Sequence, residues 1–358
     1  MKRSAIALLL SICLMFSGCS TLLTGEFIWE QEHNIPSAPN GGQGLAVSDY
    51  AQLYAVMADS IEQGTEVFTV SVAAYDSTIL DQDVQRAAEA VRAENPIAAY
   101  AVSDISCQIG TVGGEKVLVV QVQYLHDQNQ INKILTVADN GAAMEAIGDA
   151  LNACSSGIVL RIENYQDEDF LVASEQYAAQ YPQYVMETPQ VSVSLYPESG
   201  SNRVLEIRFT YVNSRDVLRD MQQQVLTVFD ASVNMVSLAG TTREKFQQMY
   251  VLMMERFQKY TIETSLTPAY SLLLHGVGDA RAFAILYAAM CREANLDCKV
   301  VVGTRGGKLW YWNIVNVDGS YFHVDLLRSK GDGNLRLMTD SIINEGYVWD
   351  FSAYPPSK

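Results

Sequence analysis

The sequence predicts an α+β protein with two α/β repeat modules and a C-terminal domain in which one helix packs on an antiparallel sheet. Two observations lead to this prediction. The order helix, strand, helix, β-hairpin occurs twice before residue 240, and residues 275–328 give an amphipathic helix followed by three strands. The predicted division is a leader at 1–18, a tether at 19–47, modules at 48–135 and 136–240, and a final domain at 241–358.

The two modules are predicted from matching orders of elements, with a period of about 90 residues. Glycine turns separate the two strands of each hairpin, and alternating apolar residues give each sheet one buried face. Modules of this kind on an exported protein more often serve as binding modules or spacers than as enzymes, although this association rests on the fold alone. The predicted elements are helix 48–63, strand 67–73, helix 79–93 and hairpin 97–124, then helix 140–154, strand 158–163, helix 170–180 and hairpin 191–211.

The N-terminus predicts export and lipidation. Lys2 and Arg3 precede an apolar run at 5–16 that is shorter than the ~20 residues of a membrane-spanning helix. Phe16-Ser17-Gly18-Cys19 resembles the signal of bacterial lipoproteins, which implies a lipid anchor at Cys19 and an extracytoplasmic, membrane-anchored protein at the cell envelope. The alternative is an ordinary secretory signal. Prolines and glycines then interrupt any period and predict the tether at 19–47.

The composition narrows the classes of partner. A net charge of −17 over 358 residues argues against a nucleic-acid partner and against binding flat on anionic lipid. The 49% hydrophobic content supplies enough apolar residues for two or three domains. No cluster of residues has metal-ligand spacing and no glycine-rich nucleotide motif occurs, so neither a metal nor a cofactor is predicted.

In the C-terminal domain, Asp279 predicts the start of a helix, because it is a good N-cap residue and apolar residues follow it at helical spacing. Three strands follow at 298–303, 309–317 and 321–326, with Asp318–Gly319 as the turn between the last two. Cys291 and Cys298 flank the connection from helix to sheet, and their spacing permits a disulfide in an exported protein but does not establish one. Cys107 and Cys154 are predicted to be buried core residues.

Residues 241–355 resemble the transglutaminase-like superfamily, relatives of the papain-like cysteine proteases. The pattern of that family is G-x-C-x-x-x-A at the helix start, then H-A-W-N on one strand and an aspartate at the end of the next. Gly276 and Ala282 match the first motif, and Trp312 and Asn313 match the second. The resemblance implies the fold of the family.

The same comparison implies that the catalytic triad is degenerate. Gly278 stands at the nucleophile position and Trp310 at the histidine position, whereas Asp325 stands at the aspartate position. Neither glycine nor tryptophan supplies a thiolate or an imidazole, which such a site needs. Cys291 lies about 20 Å further along the helix at ~1.5 Å per residue and cannot replace the nucleophile. The expectation is a catalytically inactive domain.

Two functions remain open from the sequence. The first is a binding or scaffold module whose ligand contacts are Trp310, Trp312, Asp325, His323 and Asp279, with a cell-wall glycan, a peptide or another envelope protein as the partner. Against it stands the simpler interpretation that these rings fill the former cleft as core. The second is a cell-envelope hydrolase or peptidase with a rearranged site that uses His323, Asp325 and Asp279, because strand alternation places His323 and Asp325 on one face.

Overall fold

A computed structural model describes residues 45–238, 240–330 and 333–358. Its helices, α1 to α12, are Tyr50–Glu62, Leu80–Glu94, Pro96–Ala101, Gln128–Ile131, Asn140–Asn152, Phe170–Gln180, Arg215–Ser237, Thr242–Arg256, Pro268–His275, Ala280–Glu293, Leu326–Ser329 and Asp340–Ile343. Its strands, β1 to β14, are Leu45–Ala46, Val67–Ser71, Val102–Val112, Glu115–Tyr124, Leu135–Asp139, Gly157–Asn164, Gln190–Tyr196, Arg203–Thr210, Lys259–Tyr260, Val277–Gly278, Cys298–Arg305, Lys308–Val317, Ser320–Val324 and Tyr347–Trp349.

The leader and the lipidation residue Cys19 lie outside the described residues, so both stay predictions. In the described part of the chain, no helix combines the length and hydrophobicity needed to cross a membrane. The described part begins inside the predicted tether, because Leu45–Ala46 pairs with β2 and Val47 is buried. The folded region therefore starts before residue 48.

The first two sheets have the same topology. Their strand orders are β1-β2-β4-β3 and β5-β6-β8-β7, and in each the first pair is parallel and the other two pairs are antiparallel. Asp49 and Asp139 cap the first helix of each unit by accepting a bond from the backbone three residues later. The edge strands β1 and β5 were absent from the predicted order, since a two-residue or five-residue edge strand carries little pattern.

A helix that precedes residue 241 packs with the helices of the C-terminal domain. Helix α7 spans 23 residues and its apolar face, including Leu218, Val225 and Phe229, is buried with α8, α9 and α10 in one core. A helix with a single apolar stripe must bury it against another element, and here that element is the C-terminal domain. Helix α7, which falls inside the second predicted module, thus shares a core with the C-terminal helices, and the division at 240/241 stays a prediction.

The third sheet has the order β13-β12-β11-β14 and is covered on both faces. Val315 and Val324 belong to the core that contains α10, whereas Val301, Trp312 and Ile314 form a second core with the tail that carries α12 and β14. Strand β14 was not predicted. It pairs with β11 at Gly303–Arg305, which leaves the first half of β11 outside this pairing.

The four described cysteines are free thiols. Cys291 is fully buried, and burial followed by its hydrogen bond to the Cys298 thiol raises its pKa well above the ordinary value. The disulfide that spacing permitted is thus not formed in this structure. Cys154 is buried as expected, but Cys107 is half-buried because its strand is the outer strand of the sheet.

Candidate functional site

Gly278, at the nucleophile position, lies in the two-stranded sheet just before α10. It pairs with Tyr260, its carbonyl oxygen accepts from the Thr261 amide at 3.1 Å, and it is buried. A Cβ atom added there would lie 3.1 Å from Cδ1 of Leu272, so a side chain would fit only tightly. The helix N-terminus is present at this position, but no nucleophilic atom is attached to it.

Asp279 is the N-cap of α10, as the sequence predicted. Its Oδ1 accepts from the Ala282 amide at 2.8 Å, and its Oδ2 accepts from the hydroxyl of Thr264. Both carboxylate oxygens therefore stabilise the helix start and the loop that crosses it. This arrangement assigns Asp279 a structural role in the described structure.

Trp310, which the sequence comparison predicts at the histidine position, hydrogen-bonds to Asp325. Its indole Nε1 donates to Oδ2 of Asp325 at 2.9 Å. The ring is half-buried, Tyr260 stacks against it with ring centroids 6.4 Å apart, and the guanidinium of Arg305 lies 5.0 Å from its ring centre. The indole thus replaces the imidazole as the donor to the aspartate.

Asp325 is almost completely buried, with 2% of its surface exposed, and every contact is a donor. Tyr347 Oη donates at 2.6 Å, the Arg328 amide at 3.0 Å and Arg305 Nη1 at 3.5 Å, in addition to Trp310. Burial, and then the nearby charge of Asp325, raise the pKa of Tyr347 above its ordinary value, so this phenol stays protonated. Oδ2 thus accepts from three side chains and Oδ1 accepts from the Arg328 amide, so the protein itself holds this carboxylate in place.

The space beside Asp325 is closed. Between α10 and β12, next to Phe283, Trp312 and Asp325, the enclosed gap has a water-accessible volume of about 0 Å³. An acyl-transfer site needs a nucleophile, a base within reach of it and room for the reacting carbonyl. We define Gly278, Trp310 and Asp325 as the former triad corner. Its glycine supplies no nucleophile, and the indole N–H of its tryptophan can only donate a hydrogen bond.

His323 is in a different environment from the one predicted. It is completely buried, its Nδ1 accepts from Trp312 Nε1 at 3.0 Å, and its Nε2 bonds Oδ1 of Asp340 at 2.9 Å. Because the indole can only donate, the proton of the neutral ring lies on Nε2. Burial lowers the pKa of His323 and outweighs the opposite effect of Asp340.

The predicted pairing of His323 with Asp325 is therefore not observed. Strand β13 ends at Val324, and Asp325 is the N-cap of α11, so the alternation that placed the two side chains on one face stops between them. In the described part of the chain, no hydrogen-bond partner is shared among the three candidate residues His323, Asp325 and Asp279.

Trp312 also differs from its prediction as a ligand contact. It is 1% exposed and packs edge-on against Tyr347 and Trp349. Trp310 and Trp312 alternate onto the same strand face, and both pack against the core formed with the C-terminal tail, but only Trp310 stays half-buried. A ligand at the former cleft could reach Trp310 and not Trp312.

Sequence reasoning missed four residues that complete these networks. Tyr260, Arg305, Tyr347 and Asp340 contact Trp310, Asp325 or His323 from segments distant in the chain. A single Tyr, Arg or Asp at the end of a strand or the start of a helix carries no signal by itself. These four contacts are set by how the tail and β9 fold back onto the sheet.

The comparisons with known proteins find a family match in the C-terminal part of the chain. Residues 231–326 match the transglutaminase-like superfamily model, and no curated protein sequence matches the chain. Among solved structures it is similar to a TGase, with 11% identity, a TM-score of 0.27, and coverage of 48% of this chain and 50% of that one. It is also similar to a candidate cysteine protease from Cytophaga hutchinsonii, with 12% identity, a TM-score of 0.26 and coverage of 42% and 65%.

A third similar structure is a candidate protease from Parabacteroides distasonis, with 11% identity, a TM-score of 0.24 and coverage of 62% and 35%. The chain spans half the length of the first of these three structures. The described architecture is mixed α and β, with α10 packed on the antiparallel sheet β13-β12-β11-β14. The chain therefore contains a transglutaminase-like superfamily domain, whose family match runs from residue 231 to residue 326.

Proposed function

We propose that this protein is a membrane-anchored lipoprotein of the cell envelope whose transglutaminase-like domain is catalytically inactive and serves as a binding or scaffold module. The observation that carries the proposal is the hydrogen bond from Trp310 Nε1 to Asp325. It places an indole in the role of the catalytic imidazole, beside a nucleophile position that has no side chain. The aspartate then stabilises the fold instead of orienting a base.

The motif residues that match the family support the same proposal, because each has a structural role. Gly276 ends α9 in the left-handed conformation, and a Cβ there would collide with the carbonyl oxygen of Arg256. Asn313 Nδ2 donates to the Ala284 carbonyl at 2.9 Å and ties β12 to α10. The two positions that depart from the pattern, 278 and 310, are those whose role is purely chemical.

The alternative enzyme, a hydrolase or peptidase using His323 and Asp325, has weaker support. His323 is completely buried and both of its ring nitrogens are bonded. A general base must lie within hydrogen-bond reach of the proton that it abstracts, in a place that a substrate can occupy. We therefore favour the binding or scaffold role, with a cell-wall glycan, a peptide or another envelope protein as the partner.

The test of inactivity uses the full chain. Glutamine peptides with an amine acceptor and peptide amides are incubated with the protein, with and without iodoacetamide. We expect no turnover above buffer in either case. Turnover that iodoacetamide abolishes would overturn the proposal, because it would require a reactive thiol.

The anchor is tested separately. Cys19→Ser, expressed in an exporting bacterial host, should move the protein from the membrane to the soluble exported fraction, because a lipidated cysteine supplies the acyl chains. Cys107→Ser is the matched control and should stay at the membrane. Membrane retention of the Cys19→Ser protein would contradict the lipoprotein assignment.

The former cleft itself offers one accessible ring. Trp310 is half-buried and has Arg305 over its face, so a ligand in this position would perturb its emission. Glycan fragments or peptides titrated into the full chain should change the fluorescence, and Trp310→Ala should remove both the change and the binding. If a ligand binds the wild-type chain and Trp310→Ala with the same affinity, its binding surface lies elsewhere.

A further inference from the structure

A groove separate from the former triad corner lies between the second module and the transglutaminase-like domain. It has a volume of about 630 Å³, within the range of ligand sites, which is about 300 to 1,000 Å³. Helix α6 forms one wall with Ala179, helix α10 forms the floor with Ile285 and Ala288, and the sheet forms the other wall with Val300 and Tyr311. The lining is therefore mostly apolar, and none of these residues belongs to the triad corner.

Helix α10 presents a defined stripe to this groove. The stripe reads Arg281, Ile285, Ala288, Arg292, which is a cation, two apolar residues and a second cation on one helix face. Arg292 lies over the Tyr181 ring and donates to the Gln180 carbonyl at 2.5 Å, so one end of the stripe is held in place. Lys299 and Asp297 also line the groove, so three of its four charged side chains are cations. In a chain of net charge −17, this excess of positive charge, with an arginine at each end of the stripe, favours an occupant with acidic groups at both ends.

The strand that borders the groove has an open edge. Strand β11 pairs with β12 along its whole length, but β14 pairs only with Gly303–Arg305. The Val302 amide points away from β12, because it donates to Tyr354 Oη at 3.2 Å. Side chains and amides alternate along a strand, so the Val300 amide points to the same side. Within the described residues no strand pairs with β11 on that side of Cys298–Val302, and Val302 is 46% exposed.

We propose that this groove binds an extended peptide segment of another protein, which adds as a strand to the open edge of β11. Its backbone would bond the outward groups of β11 around Val300, as in strand addition to other exposed sheet edges. Alternate side chains would face α10, with an apolar one against Ile285 and acidic ones at Arg281 and Arg292. The proposal does not depend on whether the triad corner is catalytically inactive.

The spacing fixes the expected pattern of the peptide. Arg281 and Arg292 are separated by about 16 Å along α10 at ~1.5 Å per residue. In a strand, residues i and i+4 face the same way and lie about 13 Å apart at ~3.3 Å per residue. The long arginine side chains cover the difference, so the pattern is acidic, any, apolar, any, acidic. The connection at 294–297 turns the chain back from α10 into β11, which makes helix and strand run side by side.

The test is direct binding to the full chain. The probe is a capped, fluorescently labelled peptide, Thr-Glu-Thr-Val-Thr-Glu-Thr, followed by fluorescence anisotropy at low salt. We expect saturable binding with a Kd below about 1 mM, and weaker binding as salt is added. The same peptide with lysine in place of both glutamates is the charge control and should not bind.

Two variants separate the charge from the strand edge. Arg281→Glu should weaken binding roughly tenfold to a hundredfold, since it removes a charged partner, whereas Lys308→Glu at the exposed hairpin end is the matched control and should not change it. Val300→Pro removes an outward N–H without removing a bond to β12, and should also weaken binding. Circular dichroism and melting curves establish that each variant is folded, and the Arg281→Glu result stands even where Val300→Pro does not fold.

Each other outcome overturns the proposal. No saturation, equal binding of the glutamate and lysine peptides, or an affinity that Arg281→Glu leaves unchanged excludes an acidic strand at this groove. If the peptide does not bind, dodecanoate is tested in its place. Dodecanoate binding that is lost in Arg281→Glu would identify a lipid-type anion as the occupant of the groove. Concentration-dependent self-association that Val300→Pro abolishes would identify a second copy of this chain.

Discussion

Two corners of the same sheet contain similar groups and differ in how they are joined. At the triad corner, the indole of Trp310 donates to the carboxylate of Asp325. At the His323 corner, which we define as His323, Trp312 and Asp340, a second indole donates to the imidazole, and the imidazole bonds a carboxylate. The first corner joins a carboxylate to an indole, and the second joins a carboxylate to an imidazole that also accepts from an indole.

The difference teaches that residue types do not define a catalytic site until their partners are known. Both corners would score as candidate sites by composition alone, since each has a carboxylate beside an aromatic ring. In each, the side chains hydrogen-bond to one another within the protein, which stabilises the fold. The four predictions below compare the two corners, from the largest expected effect to the smallest.

The largest effect is expected from the buried charge of the triad corner. Asp325→Ala leaves Trp310, Tyr347 and the Arg328 amide without their acceptor, and also removes the cap of α11. We expect a loss of about 3 kcal/mol or more in the free energy of unfolding, measured by urea titration. Asp325→Asn keeps the cap and should cost less, and exposed Glu345→Ala should stay within about 0.5 kcal/mol. A loss as small as that of Glu345→Ala would mean that the network is not formed.

The His323 corner should respond less, because its groups are neutral apart from Asp340. His323→Gln leaves either the Trp312 indole or Asp340 without a partner in a buried place. We expect the free energy of unfolding to fall by about 2 kcal/mol. The measurement is the same urea titration at neutral pH. A fall larger than that of Asp325→Ala would reverse the order proposed for the two corners.

The pH dependence gives a smaller and more specific effect. Burial lowers the pKa of His323 in the folded protein. As the pH falls below about 6.5, His323 is therefore protonated in the unfolded chain before it is protonated in the folded one. The unfolding free energy should therefore decrease as the pH falls from about 6.5 through the folded pKa, and the contribution is fully present above that range. Asp340 is the charged group facing the ring, with the uncharged Trp312 and Trp349 on its other sides.

The measurement compares the wild-type chain with His323→Gln. The difference between their unfolding free energies should shrink when the pH is lowered from about 7.5 to about 5.5. Acidic residues that titrate in both proteins cancel in this difference. A difference that grows at low pH would show that His323 is protonated in the folded protein.

The smallest effect on stability is expected at Gly278. Its backbone is not in the left-handed conformation, and the nearest atom to an added Cβ belongs to the flexible end of Leu272. Gly278→Cys should therefore change the unfolding free energy by about 1 kcal/mol or less. Because no imidazole is beside it, the new thiol should react slowly with iodoacetamide at neutral pH, followed by mass spectrometry.

The double variant Gly278→Cys with Trp310→His is the matched comparison. An imidazole bonded to Asp325 would lower the pKa of the thiol, so alkylation should be faster than in the single variant. Equal alkylation rates of the single and the double variant would contradict our description of the corner, because they would show that the side chain at position 310 does not act on a thiol at position 278.

The elements with strong periodicity were predictable and the networks between them were not. The predicted helix at 170–180 and the Asp279 cap of α10 agree with the structure, because a helix start is a local property of a few residues. The edge strand β5 was missed, since a short strand has a weak local signal, and no local pattern indicated that α7 packs with the C-terminal helices. His323 was placed beside Asp325 because the end of β13 was set too late.

The sequence by itself determined which chemical groups are absent from the transglutaminase-like domain. No folding can give Gly278 a side chain or make the Trp310 indole a base, so these losses follow from the residues alone. Only the tertiary structure decided that the Trp310 indole donates to Asp325, that Trp312 and His323 are buried under the tail, and that β11 keeps an open edge beside α10. The physical reason is that these features depend on contacts between segments far apart in the chain, and local sequence pattern carries no information about such contacts.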